Sequence, residues 1–162
     1  MSRDISKERA IVDDFINIVG GRAFVTIYRG DGSVEGPWVC SNQVTAAGLN
    51  ELASRSIVTS RSPFDSIAVG SGTAAASLGS TALIHQVSSK ASITPVTSRS
   101  TLILSNTWGG AADSVTSIAL EEAGIFNLDG TMLNKLTGVA ATLGDSDIVN
   151  LAMTFQIGSH AL

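Results

Sequence analysis

The stretch from Phe64 to Leu83, FDSIAVGSGTAAASLGSTAL, decides the fold, together with a related stretch from Ala119 to Thr137, ALEEAGIFNLDGTMLNKLT. In each, a short apolar run leads directly into a turn that contains glycine, which is typical of a β-strand followed by a tight connection. Neither stretch carries a cluster of chemically reactive side chains. The pattern predicts a β-rich building block with a structural or interaction role rather than an enzyme.

The rest of the chain also favours short strands. Asp31-Gly32 and Asp129-Gly130 are hairpin signals between such runs. The 36 Ser and Thr residues outnumber the 10 basic and 14 acidic ones together, and β-tolerant polar residues facing solvent suit antiparallel strands. We therefore predict a mainly β fold, an antiparallel β-sandwich or jelly-roll-like domain over residues 22–162. The expected strands include residues 34–39, 84–93, 115–121 and 148–157, with a loop at 138–147.

Two helices are expected. From Ser6 to Val19, apolar Ile11, Phe15 and Ile18 recur at helical spacing opposite a charged side, and Gly20 and Gly21 follow. This predicts an amphipathic helical arm within residues 1–21, which either packs on its own domain or docks on a neighbouring subunit. A short internal helix is expected over residues 45–53, capped by Thr45 and buried through Leu49 and Leu52.

Composition restricts the partners. A net charge of −4 and a sequence pI near 5.0 argue against a nucleic-acid binder, which needs a basic face for phosphates. No apolar run is long enough to span a membrane, and the charged N-terminus lacks the apolar core of a signal peptide. The single cysteine, Cys40, follows Trp38 and Val39 and is expected to be a small buried side chain. Synthesis in a reducing cytoplasm is the expectation.

Several motifs suggest binding chemistry but lack its essential residues. The turn beginning Gly70-Ser-Gly-Thr has no Gly-Lys-Ser/Thr ending, and no third glycine of a dinucleotide fingerprint, so no nucleotide cofactor is predicted. Arg29-Gly30-Asp31 is explained by the needs of a turn rather than by integrin binding. Asp145 and Asp147 lack the spacing of a calcium loop, so no metal is predicted.

Candidate catalytic groups are few. His85 and His160 are the only histidines, and no Gly-x-Ser-x-Gly elbow accompanies them. Glu121 and Glu122 are adjacent, so on a strand they point to opposite faces and do not form a catalytic pair. One of the two is expected to face inward and to bond backbone groups at the turn before Gly124.

Four segments in order, NQVTAAGLNELA, FDSIAVGSGTAAASLGSTAL, EEAGIFNLDGTMLNKLT and LAMTFQIG, resemble a group of virion proteins of tailed bacteriophages. That group has a short VT-x-AG helix, an IAVGTGT strand with a small-residue loop, an EAGLF turn and a closing strand. The resemblance covers residues 43–158 and leaves Met1 to Cys40 outside it. The matching residues are Ala47, Gly48, Leu49, Gly70, Gly72, Thr73, Leu83, Glu122, Ala123, Gly124, Ile125 and Phe126.

The resemblance implies a structural protein, a capsid cement or decoration subunit on the outer capsid surface, assembled in the host cytoplasm. Its implied partners are the major capsid protein and further copies of itself, with a trimer as the expected assembly, and no nucleic acid, membrane or small-molecule substrate. A tail, baseplate or fibre-associated subunit is the alternative, and a host-glycan-binding module is a remote one. We expect the partner contacts at Ile11, Phe15 and Ile18 of the arm and at Gly70, Gly72 and Thr73 of the glycine loop.

Overall fold

The computed structural model describes residues 21–55, 60–91, 96–98 and 101–156. These residues form nine strands and one short helix. In chain order the elements are β1 (Arg22–Tyr28), β2 (Val34–Val44), α1 (Ala46–Ser54), β3 (Phe64–Gly70), β4 (Gln86–Ala91), β5 (Val96–Ser98), β6 (Thr101–Gly109), β7 (Ala119–Asn127), β8 (Met132–Thr142) and β9 (Ile148–Gln156). The prediction of a mainly β fold is confirmed.

The strands make one antiparallel sheet in the order β4-β3-β7-β8-β2-β1-β9-β6-β5, which is nearly closed into a barrel. Strand β2 pairs with β1 through most of its length and with β8 only over its last three residues, Asn42 to Val44. β2 therefore joins two groups of strands, β5-β6-β9-β1 on one side and β8-β7-β3-β4 on the other. The finer assignment to a sandwich or jelly roll stays a prediction.

Side-chain hydrogen bonds and an ion pair connect β4, at one end of the sheet, to β6, near the other end. The Lys90 ammonium donates to the carbonyl of Thr107 at 2.8 Å and pairs with Asp113 at 2.6 Å. Trp108 Nε1 donates to Ser88 Oγ at 3.1 Å, and Asn106 Nδ2 donates to the carbonyl of Ala91 at 2.6 Å. These bonds join β4 to β6 where no backbone ladder does.

The interior is filled by apolar side chains that alternate along the strands, as period-2 geometry requires. From β1 they include Ala23, Val25 and Ile27, and from β6 they include Leu104 and Trp108, all at most 1% exposed. The thiol of Cys40 is free and buried in this core, as predicted, and its Sγ lies 3.3 Å from the carbonyl oxygen of Gly138. Burial raises the pKa of this thiol.

The internal helix follows the prediction closely. Thr45 caps it, since Thr45 Oγ1 accepts the N–H of Gly48 at 2.9 Å. Leu49 and Leu52 pack against the core, although the buried positions of the helix are Gly48 and Glu51. The hairpin predicted at Asp129-Gly130 is also confirmed, as β7 and β8 pair on either side of it.

Other predicted boundaries were wrong. β4 begins at Gln86 rather than at Ile84, and β2 continues beyond Val39 to Val44. β7 begins at Ala119 rather than at Val115, because the preceding segment turns through Ser114 and Ser117, both with positive φ. β8 continues to Thr142 through the predicted loop, because Ala141 and Thr142 pair with the start of β7. The predicted N-terminal helix lies outside the described residues.

Candidate functional site

The loop of residues 71–85, called here the Glu122 loop, connects β3 to β4 and covers the outer face of β3, β7 and β8. Its buried Leu83 packs on Ala68 and Met132, with Phe126 beside them, in a small apolar cluster separate from the main core. Strand parity explains this second cluster, since Ile67 and Ile125 face the barrel interior while Ala68 and Phe126 face the other way. The β3–β7–β8 region is therefore buried on both faces.

The carboxylate of Glu122 holds this loop to the sheet. Its Oε1 accepts the backbone N–H of His85 at 2.8 Å and that of Gly72 at 3.2 Å, and its Oε2 accepts the N–H of Ile84 at 3.0 Å. These three donors come from both ends of the loop, and the Glu122 side chain is fully buried. The prediction that one carboxylate of the Glu121-Glu122 pair bonds backbone groups is confirmed. The bonded groups, however, belong to this loop and not to the turn before Gly124.

Lys135 completes the charge balance of this carboxylate. Its ammonium lies 2.9 Å from Glu122 Oε2, and the Lys135 side chain is 1% exposed. Burial acts to raise the pKa of Glu122, but the His85 and Ile84 N–H donors and the Lys135 charge outweigh it and lower that pKa below its ordinary value. An ionised Glu122 with four donors is a satisfied buried charge, which is the condition for such a group to stabilise a fold.

Two glycines allow the loop to approach the carboxylate. A Cβ on Gly72 would lie 2.5 Å from Glu122 Oε1, and a Cβ on Gly70 would lie 2.7 Å from the same atom. At Gly79, in the outer part of the loop, an added Cβ would meet nothing within 4 Å. Glycine is therefore required at positions 70 and 72, because a larger side chain there would collide with Glu122.

Ser71 and His85 close the neck of the loop. The N–H of Ser71 donates to the carbonyl of His85 at 3.0 Å, and Ser71 Oγ lies 2.8 Å from His85 Nδ1. A serine beside a histidine is the start of a nucleophilic site, but Glu122 bonds the backbone N–H of His85 and not its ring. The hydroxyl–imidazole pair is exposed at the surface, and its evident effect is to pin the two ends of the loop together.

The loop also presents side chains to solvent. Thr73, Leu78 and Ile84 are exposed, the last two strongly for apolar side chains at 54% and 65%. The carbonyl of Leu78 accepts the N–H of Ala46 at 2.7 Å, so the loop also contacts the start of α1. The result is an anchored loop with exposed apolar side chains.

The structure describes three of the six residues predicted as partner contacts. Gly70 ends β3, and Gly72 and Thr73 begin the Glu122 loop; both glycines are buried and Thr73 is exposed. Their role in binding a partner stays a prediction. Ile11, Phe15 and Ile18 lie outside the described residues, as does His160.

A second charged cluster lies at the β1–β2 turn. Arg29 makes a two-bond pair with Glu35, at 2.6 and 3.0 Å, and its Nη1 lies 2.7 Å from Asp147 Oδ2. Asp147 also accepts the N–H groups of Gly144 and Gly30, which with Arg29 lower its pKa from an ordinary 3.8 to about 2. Arg29-Gly30-Asp31 is thus a turn, as predicted, and the Arg29 side chain bonds groups of its own chain.

Lys135 is the member of the site that the sequence prediction missed. The hairpin signal at Asp129-Gly130 contained the information needed, because that turn places Lys135 opposite Gly124, two residues from Glu122. A lysine in the apolar run MLNKLT, close across a hairpin from a glutamate, is a signal for a buried ion pair.

A scan against protein-family models and searches of curated proteins and of solved structures found no match to this chain. Among the described residues, no three His, Cys, Asp or Glu side chains are grouped so that they could hold a metal ion. In the same part of the chain, no helix has the length and hydropathy needed to cross a membrane.

Proposed function

We propose that this protein is a structural virion protein of a tailed bacteriophage, a capsid cement or decoration subunit without enzymatic activity. It binds the outer capsid surface, bridges neighbouring major capsid proteins and stabilises the head. The observation that carries the proposal is the contact of Glu122 with the 71–85 loop. The two most distinctive segments of the resemblance, IAVGSGT and EEAGIF, meet there, since β3 pairs with β7 and the N–H of Gly72 donates to Glu122.

That contact supports the resemblance because motif residues that are far apart in the sequence share one structural role, which is to anchor the 71–85 loop on the sheet. Gly70 and Gly72 are needed where the loop approaches Glu122, and Leu83 is needed where the loop returns to the sheet. A carboxylate at position 122 and glycines fifty residues earlier therefore belong to one unit. A short helix capped by Thr45 bonds the same loop through Ala46 and Leu78.

The anchored loop suits a subunit that bridges other proteins. Its backbone is fixed before binding, so little ordering of the backbone opposes the association. Its exposed Leu78 and Ile84 supply apolar contact area, and Thr73 supplies a polar group at the rim. A subunit that binds the assembled shell better than free capsid protein stabilises the shell by linkage, and many copies add avidity. Local capsid symmetry favours a trimeric, closed association.

We also propose that the nearly closed sheet is a sandwich-like or jelly-roll-like domain. The β5-β6-β9-β1 and β8-β7-β3-β4 groups face each other across one core, and β2 joins them. An experimental structure of the domain tests this assignment by the angle between the two groups of strands.

The direct test is a quantitative gel and a density map of intact particles that contain the protein. A cement subunit is expected in hundreds of copies on the head, and particles without it are expected to lose DNA at lower temperature. A copy number of six to a few tens, with density on the tail, would replace the head assignment by the tail alternative. Absence from purified particles would overturn both.

The loop contact has its own test. Leu78→Ser and Ile84→Ser are expected to reduce co-sedimentation with stripped particles, while Leu128→Ser, an exposed leucine at the β7–β8 turn, serves as the matched control. Unchanged binding of both loop variants would show that the loop is not the contact. A glycan platform is disfavoured by Trp108, which is fully buried, and by Trp38, whose Nε1 donates to the carbonyl of Val139.

A further inference from the structure

An apolar surface lies on the outside of β2, β1 and β9, and we call it the open face. Phe24 pairs across the strands with Val39, and Tyr28 pairs with both Val34 and Ile148. These side chains are between 38% and 56% exposed. No described segment covers them as the Glu122 loop covers the other side of the sheet. Five large apolar side chains on adjacent strands form a patch of the kind that usually contacts another segment or protein.

The segment that leads into β1 has the pattern needed to cover this face. Residues 6–19 carry Ile11, Phe15 and Ile18 at helical spacing, and only Gly20 and Gly21 separate them from Arg22 at the start of β1. β1 lies at the centre of the open face, between β2 and β9. The apolar stripe of the segment cannot enter the barrel at β1, because Ala23, Val25 and Ile27 already fill that side.

The dimensions also agree. A helix of 14 residues is roughly 21 Å long, and the seven residues of β1 span roughly 23 Å. Ile11 and Ile18 would be roughly 10 Å apart along the helix axis, and Phe24 and Tyr28 are roughly 13 Å apart along the strand. A helix folded back over β1 would therefore place Ile18 near Phe24 and Ile11 near Tyr28.

We propose that residues 6–19 pack as an amphipathic helix on the open face of their own chain. The two-residue connection favours the same chain over a second copy, because a short linker gives its segment a high effective concentration at the adjacent surface. Gly20 permits the reversal, since glycine adopts turn conformations freely. Gly21 already lies beside β2, because its carbonyl accepts the N–H of Asn42. The proposal does not depend on the virion function.

Nuclear Overhauser contacts to the ring of Tyr28, the only tyrosine in the chain, test it directly. The full-length protein is prepared with labelled isoleucine methyl groups, and contacts are also recorded on a mixture of labelled and unlabelled chains. The expected result is a contact from the Ile11 methyl groups to the Tyr28 ring within one chain. Absence of any contact from residues 6–19 to Tyr28 overturns the proposal, and so does a contact found only between different chains.

Chymotrypsin cleavage after Phe15, followed by mass spectrometry, gives a second readout. Phe24→Ser with Tyr28→Ser is expected to speed this cleavage at least about tenfold, because cleavage follows the population of undocked segment. Ile11→Ser with Ile18→Ser changes only the segment and is expected to speed the cleavage to the same extent. This second variant keeps the test valid if the variant with Phe24→Ser and Tyr28→Ser folds poorly. Leu128→Ser is the control for an exposed apolar side chain elsewhere, and its rate should not change. Equal rates in all variants would overturn the proposal.

Discussion

Two outer faces of the same nearly closed sheet differ in their exposure to solvent. One is formed by β3, β7 and β8, and the other by β2, β1 and β9. The first is covered by the Glu122 loop, with Leu83 buried and a buried ion pair beneath the loop. The second exposes Phe24, Tyr28 and their neighbours. Local connections explain the difference, because β3 is followed by a long loop of small residues, whereas β1 and β2 are joined by a short turn.

The charged side chains of the two regions also differ in their burial. Glu122 and Lys135 are buried, and the Glu122 carboxylate is matched there by the Lys135 ammonium and three backbone N–H groups. Arg29, Glu35 and Asp147 lie nearer to solvent, where water and salt weaken each pair. The covered side should therefore depend on a few buried atoms, and the open side on many weak contacts.

The largest effect is expected from Glu122→Ala. It leaves the Lys135 ammonium buried without its partner and leaves three loop N–H groups without an acceptor, which costs about 3–5 kcal/mol of unfolding free energy. For a domain of this size that lowers Tm by roughly 6–20 °C in calorimetry. Glu121→Ala is the matched control, because its side chain makes none of these bonds, and should change Tm by only a degree or two.

Adding Lys135→Met to Glu122→Ala should recover part of this loss, since the unpaired charge is then removed. If Glu122→Ala and Glu121→Ala have equal Tm values, the covered face does not depend on the carboxylate.

A smaller effect is expected from Gly72→Ala. Its new Cβ would lie 2.5 Å from Glu122 Oε1 and 2.6 Å from Ile84 Cβ, so the loop must shift, at about 1–3 kcal/mol. Gly79→Ala, in the same loop with open space around its Cβ, should be neutral or slightly stabilising. Chemical denaturation of the two variants checks the pair. Equal midpoints would mean that the approach of the loop to Glu122 is not tight.

The smallest effect concerns the exposed cluster at the end of β1. The pKa of Asp147 is lowered to about 2 by the Gly144 N–H, Arg29 and the Gly30 N–H, so the folded state favours the charged carboxylate. Its contribution to stability is complete above about pH 5 and is lost as the pH falls from about 4 to 2. Asp147→Asn should therefore have a lower Tm than the wild type at pH 6, and the gap should narrow towards pH 2.

Asp145→Asn provides the control for that titration, because the Asp145 side chain takes no part in the Arg29 cluster. A gap between wild type and Asp147→Asn that is independent of pH would contradict the assignment of this carboxylate.

Features set by neighbouring residues could be predicted from the sequence. Thr45 caps its helix, Asp129-Gly130 makes its hairpin, and Cys40 is buried, because each depends on a few adjacent side chains. That one carboxylate of the Glu121-Glu122 pair bonds backbone groups was also predicted, but the burial of Glu122 on the outer face of β7 comes from the distant 71–85 loop.

Features set by distant contacts were predicted poorly. Ile84 and His85 have a strand-like sequence, but their N–H groups bond Glu122 instead of a neighbouring strand, so β4 starts two residues later than predicted. The near closure through Lys90 depends on β4 and β6 meeting across the barrel, and nothing local to either strand specifies it. The open face likewise becomes visible only when β1, β2 and β9 are aligned.

Amide hydrogen exchange of the wild-type protein tests the central claim most directly, namely that Glu122 holds the 71–85 loop on the sheet. The N–H groups of Gly72, Ile84 and His85 donate to the carboxylate, whereas Ala74 and Ala75 are exposed in the same loop. The account predicts that the first three exchange at least about a hundredfold more slowly than the two alanines. Exchange of all five at one rate would contradict it.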